Sequence, residues 1–455
     1  MDVVSTSPRS ASRPGLTSFW HDLPREGRLL LSTVVVDALG IGFVLPFGVV
    51  YLHEVRHLPL PTVGVLLAVP AAVALALLGP IGALIDRYGP RRLQVVALLA
   101  NLVASVLLAF STTAADAALA FGLLGVGQAV FWPASQSLVA AVIPSAIRQR
   151  YYGTSFTVLN LGIGVGGLAS GLFVSTSAPW TFQVIYLLNA ASFLAPLSVL
   201  ALPLRHVGNA THAVSDAGAP RPAGRYRAVL ADRAYRRFLV VVFFGAFVGY
   251  AQFEAGWTAY ARTVAQASTQ LIGIAFAVNT ATIVVLQLLV IQRIEGHRRT
   301  RVLMLMSLVW AASWSLMGLA GLVPGSVVAG VLLSASMAVF ALGETFQSPV
   351  VPAITNDLAP EHLRGRYNAV GSMVFQVAAI SGPVAAGFLL GHHLTVAFVA
   401  MLLVGCALMV VVLRTLERVI PRSANGVGSP ATDDAGAVRV PSQREPATTP
   451  ESVSC

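Results

Sequence analysis

The chain has 455 residues, of which 56% are hydrophobic and only 11% charged, and its mean hydropathy is +0.76. A soluble domain carries about 25% charged residues, so an ordinary water-soluble globule is excluded. The net charge is +10, from 29 basic and 19 acidic residues, and every basic residue is arginine. Such an excess raises nucleic acid as a partner, and the placement of the arginines decides the matter.

A helix needs roughly 20 mostly apolar residues to cross a bilayer. Twelve such blocks are predicted, at roughly 29–52, 62–84, 93–111, 117–141, 154–175, 181–203, 238–260, 270–291, 301–322, 327–350, 369–390 and 395–413. They lack the alternation of membrane-barrel strands, so they read as helices.

A polar tail (1–27) comes first. The first span is too long and too interrupted, by Asp37 and Pro46, for a cleaved signal peptide. Asp37 lies nine residues beyond Arg28. At ~1.5 Å per residue this is about 14 Å deep, near the middle of a ~30 Å core. The run Gly40-Ile-Gly42 to Pro46 lets this helix bend. Gln128 and Trp132 lie in the fourth span, and Asn160 in the fifth. A polar stretch over 204–236 ends in the basic run Arg225 to Arg237, read as a short surface helix leading into the seventh span. The seventh span carries Tyr250, Gln252 and Glu254, with Glu254 toward its outer end. Asn279 and Gln287 follow in the eighth, Glu344 in the tenth and Gln376 in the eleventh. Trp310 and Trp314 of the ninth read as lipid-facing or packing residues. The last segment, rich in Ser, Pro, Ala, Asp and Gly, reads as disordered. Two cysteines, Cys406 and Cys455, offer neither a disulfide nor metal spacing, and no cofactor or P-loop motif is present.

With both termini in the cytoplasm, 27 arginines fall on the inner side and only Arg56 and Arg262 outside. This split obeys the positive-inside rule. The basic excess is therefore topological; it faces the anionic inner leaflet and points away from nucleic acid. The predicted organisation is an all-α polytopic membrane protein: a cytoplasmic tail (1–27), a six-helix bundle (28–203), a cytoplasmic central loop (204–236), a second six-helix bundle (237–414) and a cytoplasmic disordered tail (415–455).

The halves repeat. A shift of 216 superposes Gly127 on Gly343, Pro133 on Pro349 and Pro144 on Pro360; Arg148, Arg150 and Tyr151 fall on Arg364, Arg366 and Tyr367. Both copies run in the same direction, as in transporters whose substrate site lies at midplane between the halves.

Between the second and third spans stands Gly82-Ala-Leu84-Ile-Asp86-Arg87-Tyr-Gly89-Pro-Arg91-Arg92. It resembles the G-x-L-x-D-R-x-G-x-[KR] signature of the major facilitator superfamily, and the resemblance extends over roughly 28–418. It implies a gating role on the cytoplasmic side for Gly82, Asp86, Arg87, Gly89 and Arg91. Arg148 and Arg364, which begin the fifth and eleventh helices, are expected partners for Asp86 and for lipid phosphate. The second copy, Arg293-Ile-Glu295-Gly296-His-Arg298-Arg299, loses the Asp position, so the two gates are not equivalent. The segment from Gly343-Glu344 to Tyr367 also looks like bacterial multidrug exporters of the superfamily. In two places the chain departs from drug–proton antiporters. Phe121 stands where they carry an Arg ahead of Gly125-x-Gly127, and Gly167 and Ser170 replace a Pro and a Gly of the fifth-helix motif.

Charged groups inside spans are costly and therefore informative, and burial of a carboxyl favours its protonated form. Asp37 is the first candidate for proton coupling or a cationic substrate, against a carboxylate merely satisfied by neighbouring helices. Glu254 and Glu344 are further candidates, as are Gln128, Trp132, Asn160, Tyr250, Gln252, Asn279 and Gln376, which suit an amphipathic cavity but serve equally as interhelical hydrogen bonds. The expectation is a monomeric transporter of the cytoplasmic membrane that exports small lipophilic or cationic compounds by proton antiport with alternating access. The alternative is a metabolite symporter or facilitator of the same superfamily. A membrane enzyme lacks a paired catalytic constellation, and a receptor would show a large extramembrane domain.

Overall fold

The structure is a computed structural model that describes residues 20, 23–205, 226–360 and 363–427. Twelve helices in it are long and apolar enough to cross a membrane. In the first half they are α1 (Arg25–Val55), α2 (Leu60–Tyr88), α3 (Pro90–Phe110), α4 (Ala114–Val142), α5 (Ser145–Phe173) and α6 (Trp180–Ala201). In the second they are α7 (Arg233–Thr263), α8 (Thr269–Ile294), α9 (Arg299–Ala320), α10 (Val327–Leu358), α11 (Arg364–Gly391) and α12 (Thr395–Glu417). Each predicted block falls on one helix, and several helices run a turn or more past the apolar limit.

An even number of crossings puts both chain ends on one side, called here the terminal face. The first half packs α1 on α5 and α6, and α4 on α2 and α3. The second repeats this with α7 on α11 and α12, and α10 on α8 and α9. Pro133 and Pro349 lie inside α4 and α10 at the repeated position. α1 breaks where Pro46 removes a backbone donor: Leu45–Phe47 is a 3₁₀ turn. α7 contains two π-turns, Ala246–Tyr250 and Gln252–Gly256.

The expected surface helix is present as Tyr226–Ala231. Asp232 then caps α7, accepting from the amides of Ala234 (2.8 Å) and Tyr235 (3.1 Å). Its other oxygen accepts from the Tyr367 hydroxyl at 3.0 Å, which ties α7 to α11.

Two expectations change, and one pair of alternatives is decided. The second span, expected to end near 84, continues through the signature: α2 runs to Tyr88, and Gly89 alone, at φ +83°, makes the break before α3. Gly296 (φ +77°) repeats this between α8 and α9. The tail expected to be disordered from 415 is ordered to Val427: α12 reaches Glu417, and the next turns dock on the start of α9. There Asn425 accepts from the Thr300 amide at 2.9 Å, so a distant residue supplies a cap that Arg298 cannot. Finally, of the two readings for Trp310 and Trp314, packing holds: both are buried. Trp310 stacks on Phe340 with ring centroids 5.0 Å apart and donates to its carbonyl at 3.1 Å. It occupies space left by Gly249 and Gly343, where any Cβ would strike the indole.

Candidate functional site

The halves meet along two seams, α2 against α11 and α5 against α8. Each closes through glycine, with backbone against backbone. A Cβ on Gly387 would sit 2.5 Å from the Leu60 carbonyl, and one on Gly171 2.7 Å from the Gly273 Cα. These contacts lie toward the face opposite the chain ends. There too the Thr269 hydroxyl donates to the Val174 carbonyl at 3.1 Å. The same face carries an ion pair between halves: Arg262 donates from Nε to Glu54 Oε1 at 2.6 Å and from its second arm to Oε2. Arg262 also donates to the Ala267 carbonyl. Glu54 and Arg262 are the penultimate residues of α1 and α7, the corresponding first helices of the two halves. The described glycine contacts, hydrogen bonds and ion pair between the halves thus gather toward the opposite face, while Gln128 and Trp132, nearer the terminal face, are exposed; the cleft is read as the space between the halves on that side.

The C-terminal half lines this cleft with acid and amide groups. Asn279 donates from Nδ2 to Glu344 Oε2 at 3.0 Å, joining α8 to α10. Tyr250 of α7 lies against Phe375 of α11, centroids 6.1 Å apart. Glu254, one turn further along α7 within a π-turn, is exposed, while Ala255 through Ala261 are buried. π-turns recur at functional sites because the widened turn re-aims a side chain. Gln252 takes the interhelical of its two readings. It is fully buried and donates to the Gly382 carbonyl at 3.2 Å, so it holds α7 to α11. Gln287 likewise bonds Ser348 at 3.1 Å, and Gln376 is half-buried on α11.

On the N-terminal half, Gln128 and Trp132 are exposed one turn apart on α4. Asn160 donates to the Phe156 carbonyl of its own helix at 2.9 Å. Asp37 is elsewhere. It lines a separate pocket of about 60 Å³ inside the N-terminal half, with Thr33, Gln94, Ser135 and Tyr151. Asp37 Oδ1 and Gln94 Oε1 are buried there without a hydrogen-bond partner. The three membrane acids therefore divide between the bundles, Asp37 in a pocket of the first, and Glu254 and Glu344 on α7 and α10 of the second.

On the terminal face, Arg87 lies over the Tyr88 ring at 5.3 Å, and Arg91 donates to the Leu200 carbonyl at 2.8 Å. Gly82 and Asp86 lie in the last turns of α2, and their side chains lie outside the described residues. Arg148 donates to the carbonyls of Ala140 (2.9 Å) and Ile143 (3.0 Å), capping the negative end of α4. Arg364 is exposed at the first turn of α11.

Sequence reasoning missed Gln94, Ser135 and the Glu54–Arg262 pair. Arg262 had registered only as an exception to the arginine split; its place next to the end of α7, matching Glu54 in α1, was the available signal.

Against known proteins, the family model described as Major Facilitator Superfamily matches residues 30–341 and 256–448. The chain belongs to the Major Facilitator Superfamily. It is 25% identical over 372 residues to a Na(+), Li(+), K(+)/H(+) antiporter of Planococcus maritimus, covering 75% of this chain and 84% of that protein. It is 32% identical over 179 residues to the class H tetracycline resistance protein of Pasteurella multocida, covering 38% and 43% respectively. A POT family transporter solved with 5-aminolevulinic acid superposes with a TM-score of 0.70 at 13% identity, covering 90% of this chain and 98% of that one. This likeness gives the major facilitator fold. As a member of the Major Facilitator Superfamily, the protein is a multi-pass membrane transporter of small molecules, and the cleft is its candidate pathway.

Proposed function

We propose that this transporter exports small lipophilic or cationic compounds in exchange for protons by rocking its two halves. The observation that carries the proposal is the amphipathic cleft, with Glu254 exposed and Glu344 held by Asn279 beside Tyr250, sealed at one face only. Apolar walls with a few placed polar groups suit a lipophilic guest, and two carboxyls suit a cation. The names of the antiporter and the tetracycline resistance protein agree with this reading.

In the proposed orientation the terminal face is cytoplasmic, because it gathers 27 of the 29 arginines. The cleft then opens to the cytoplasm and is loaded from inside. Bundles over 28–203 and 237–414 move as the two bodies, in a cytoplasmic membrane and as a monomer. Gly82, Asp86, Arg87, Gly89, Arg91, Arg148 and Arg364 hold the cytoplasmic side when it closes. Gln128, Trp132, Asn160 and Gln376 contribute to the pathway beside Tyr250, Asn279 and the acids. Asp37, in its own pocket, exchanges a proton with the cytoplasm by a route apart from the substrate.

Everted vesicles from an efflux-deficient host test this. Substrate addition under an imposed proton gradient is expected to dissipate the gradient, and an uncoupler to abolish accumulation. Accumulation that survives the uncoupler overturns proton-driven export. Proton movement in the same direction as substrate favours the symporter alternative.

A further inference from the structure

The terminal-face ends of α8 and α9 are not packed on one another. Between them opens a groove of about 780 Å³, with Phe346 of α10 at its floor. Its walls are apolar, including Leu289 and Val290 of α8 and Leu305 of α9. Leu289 and Leu305 are exposed at the surface that faces the bilayer. The mouth is cationic: Arg293, His297, Arg298 and Arg301 line it.

The order of these groups along the membrane normal is specific. Leu289 precedes Arg293 by four residues, and Leu305 follows Arg301 by four. Each leucine therefore lies about 6 Å deeper than its arginine. The loop also sorts its arginines. Arg299 turns away, pairing with Asp357 at 2.5 Å and the Ala424 carbonyl at 2.9 Å. Arg298 and Arg301 share one carboxylate, Glu417, at 2.9 and 3.1 Å. Arg293 has no ion-pair partner among the described residues and is exposed. Three guanidinium groups thus face the groove against one carboxylate. The loop's other acid, Glu295, is not part of the lining.

We propose that this groove is a binding site for one anionic phospholipid of the adjacent leaflet. Its phosphodiester accepts hydrogen bonds from Arg293 and from the free arms of Arg298 and Arg301. One acyl chain lies over Leu289 and Leu305 against Phe346. A bilayer lipid is the occupant whose charge and apolar part come in this order at this depth, and charge complementarity selects the anionic class. Bulk inner-leaflet attraction acts on every arginine of the face, whereas this site singles out three. Export direction and coupling play no part in the argument, so a failed flux assay leaves it standing.

Native mass spectrometry of the full chain, with thermal unfolding in detergent, tests the site. Added phosphatidylglycerol is expected to stay bound and raise the Tm, while phosphatidylcholine and inorganic phosphate do neither. Replacing arginines by glutamine (Arg293→Gln, Arg298→Gln, Arg301→Gln) is expected to weaken retention by about fivefold each. Arg418→Gln, the same charge change on the same face outside the groove, should leave retention unchanged. The combined Leu289→Trp and Leu305→Trp variant fills the groove, keeps every arginine and spares Glu417, and should also lose the lipid. Equal retention in the arginine variants and Arg418→Gln overturns the proposal, as does equal protection by inorganic phosphate.

Discussion

The two bundles share a skeleton and fill it differently. At the repeated position on α4 and α10 a glycine admits a side chain from the neighbouring helix. Gly127 admits Asn101 of α3, and Gly343 admits Trp310 of α9. Around Trp310 the second bundle builds an aromatic stack: Phe340 lies on Phe253 at 5.4 Å and Phe253 on Phe276 at 4.8 Å. Around Asn101 the first bundle is polar. Asn189 donates to Ser105 at 2.9 Å, while oxygens of Asp37, Gln94, Asn101 and Asn189 remain buried without partners. Unpartnered carbonyl and carboxyl oxygens draw water or protons. The second bundle also buries unpartnered polar atoms, among them Gln252 Oε1 and Gln347 Oε1, so what sets the bundles apart is the aromatic stack in one and the buried acid Asp37 in the other.

The largest test of that division is Asp37→Asn. A one-unit pH gradient is ~1.4 kcal/mol per proton, or about tenfold in accumulation. The variant should lose that factor while facilitated exchange continues; unchanged pH dependence would remove Asp37 from the coupling path. Next is the matched pair of truncations at the glycine joint. Trp310→Ala should cost about 3–5 kcal/mol through the cavity it leaves. Asn101→Ala should cost under about 1 kcal/mol, because it removes a buried oxygen that has no hydrogen-bond partner. Comparable drops in Tm for the two would erase the contrast. Glu54→Gln should then shift the open-to-closed balance by about fivefold, if the pair contributes ~1 kcal/mol to the closed face. Spin labels at His57 and Gln266 would read this as a longer distance population. A further modest effect is expected from Asn425→Ala, which removes the cap at the start of α9. The cost should be about 1 kcal/mol, seen as a modest fall in Tm.

Most of the helix architecture was legible because bilayer thickness sets span length. The 216-residue repeat anticipated that α4 and α10 end in register, and Pro46 anticipated the break in α1. Which way each helix turns was not legible. Trp310 read equally as a lipid-facing or a packing residue, and Gly249 and Gly343 show where it packs. Depth placed Asp37 at mid-membrane, but only α3, α4, α5 and α6 around it show that it faces its own bundle. Gln252 and Glu254 are two residues apart and read alike in a line of text. Two positions apart on a helix they point to nearly opposite sides, and the structure buries one and exposes the other. The Glu54–Arg262 and Asn425–Thr300 contacts bridge 208 and 125 residues, beyond any local pattern.

The glycine seams bear on how easily the protein can come apart again. Helical backbone facing helical backbone keeps its amides and carbonyls paired within each helix, so separation of the facing turns strands few hydrogen-bonding groups. Small side chains such as Thr280 against Gly164 and Pro61 against Gly391 fill the seams. Among the described residues the Glu54–Arg262 pair and the Thr269–Val174 hydrogen bond lose a partner, and both stand at the end of the seams away from the terminal face. The closure behaves less like a lock than like two smooth rails held by one clasp, a joint suited to many cycles of opening with little resistance.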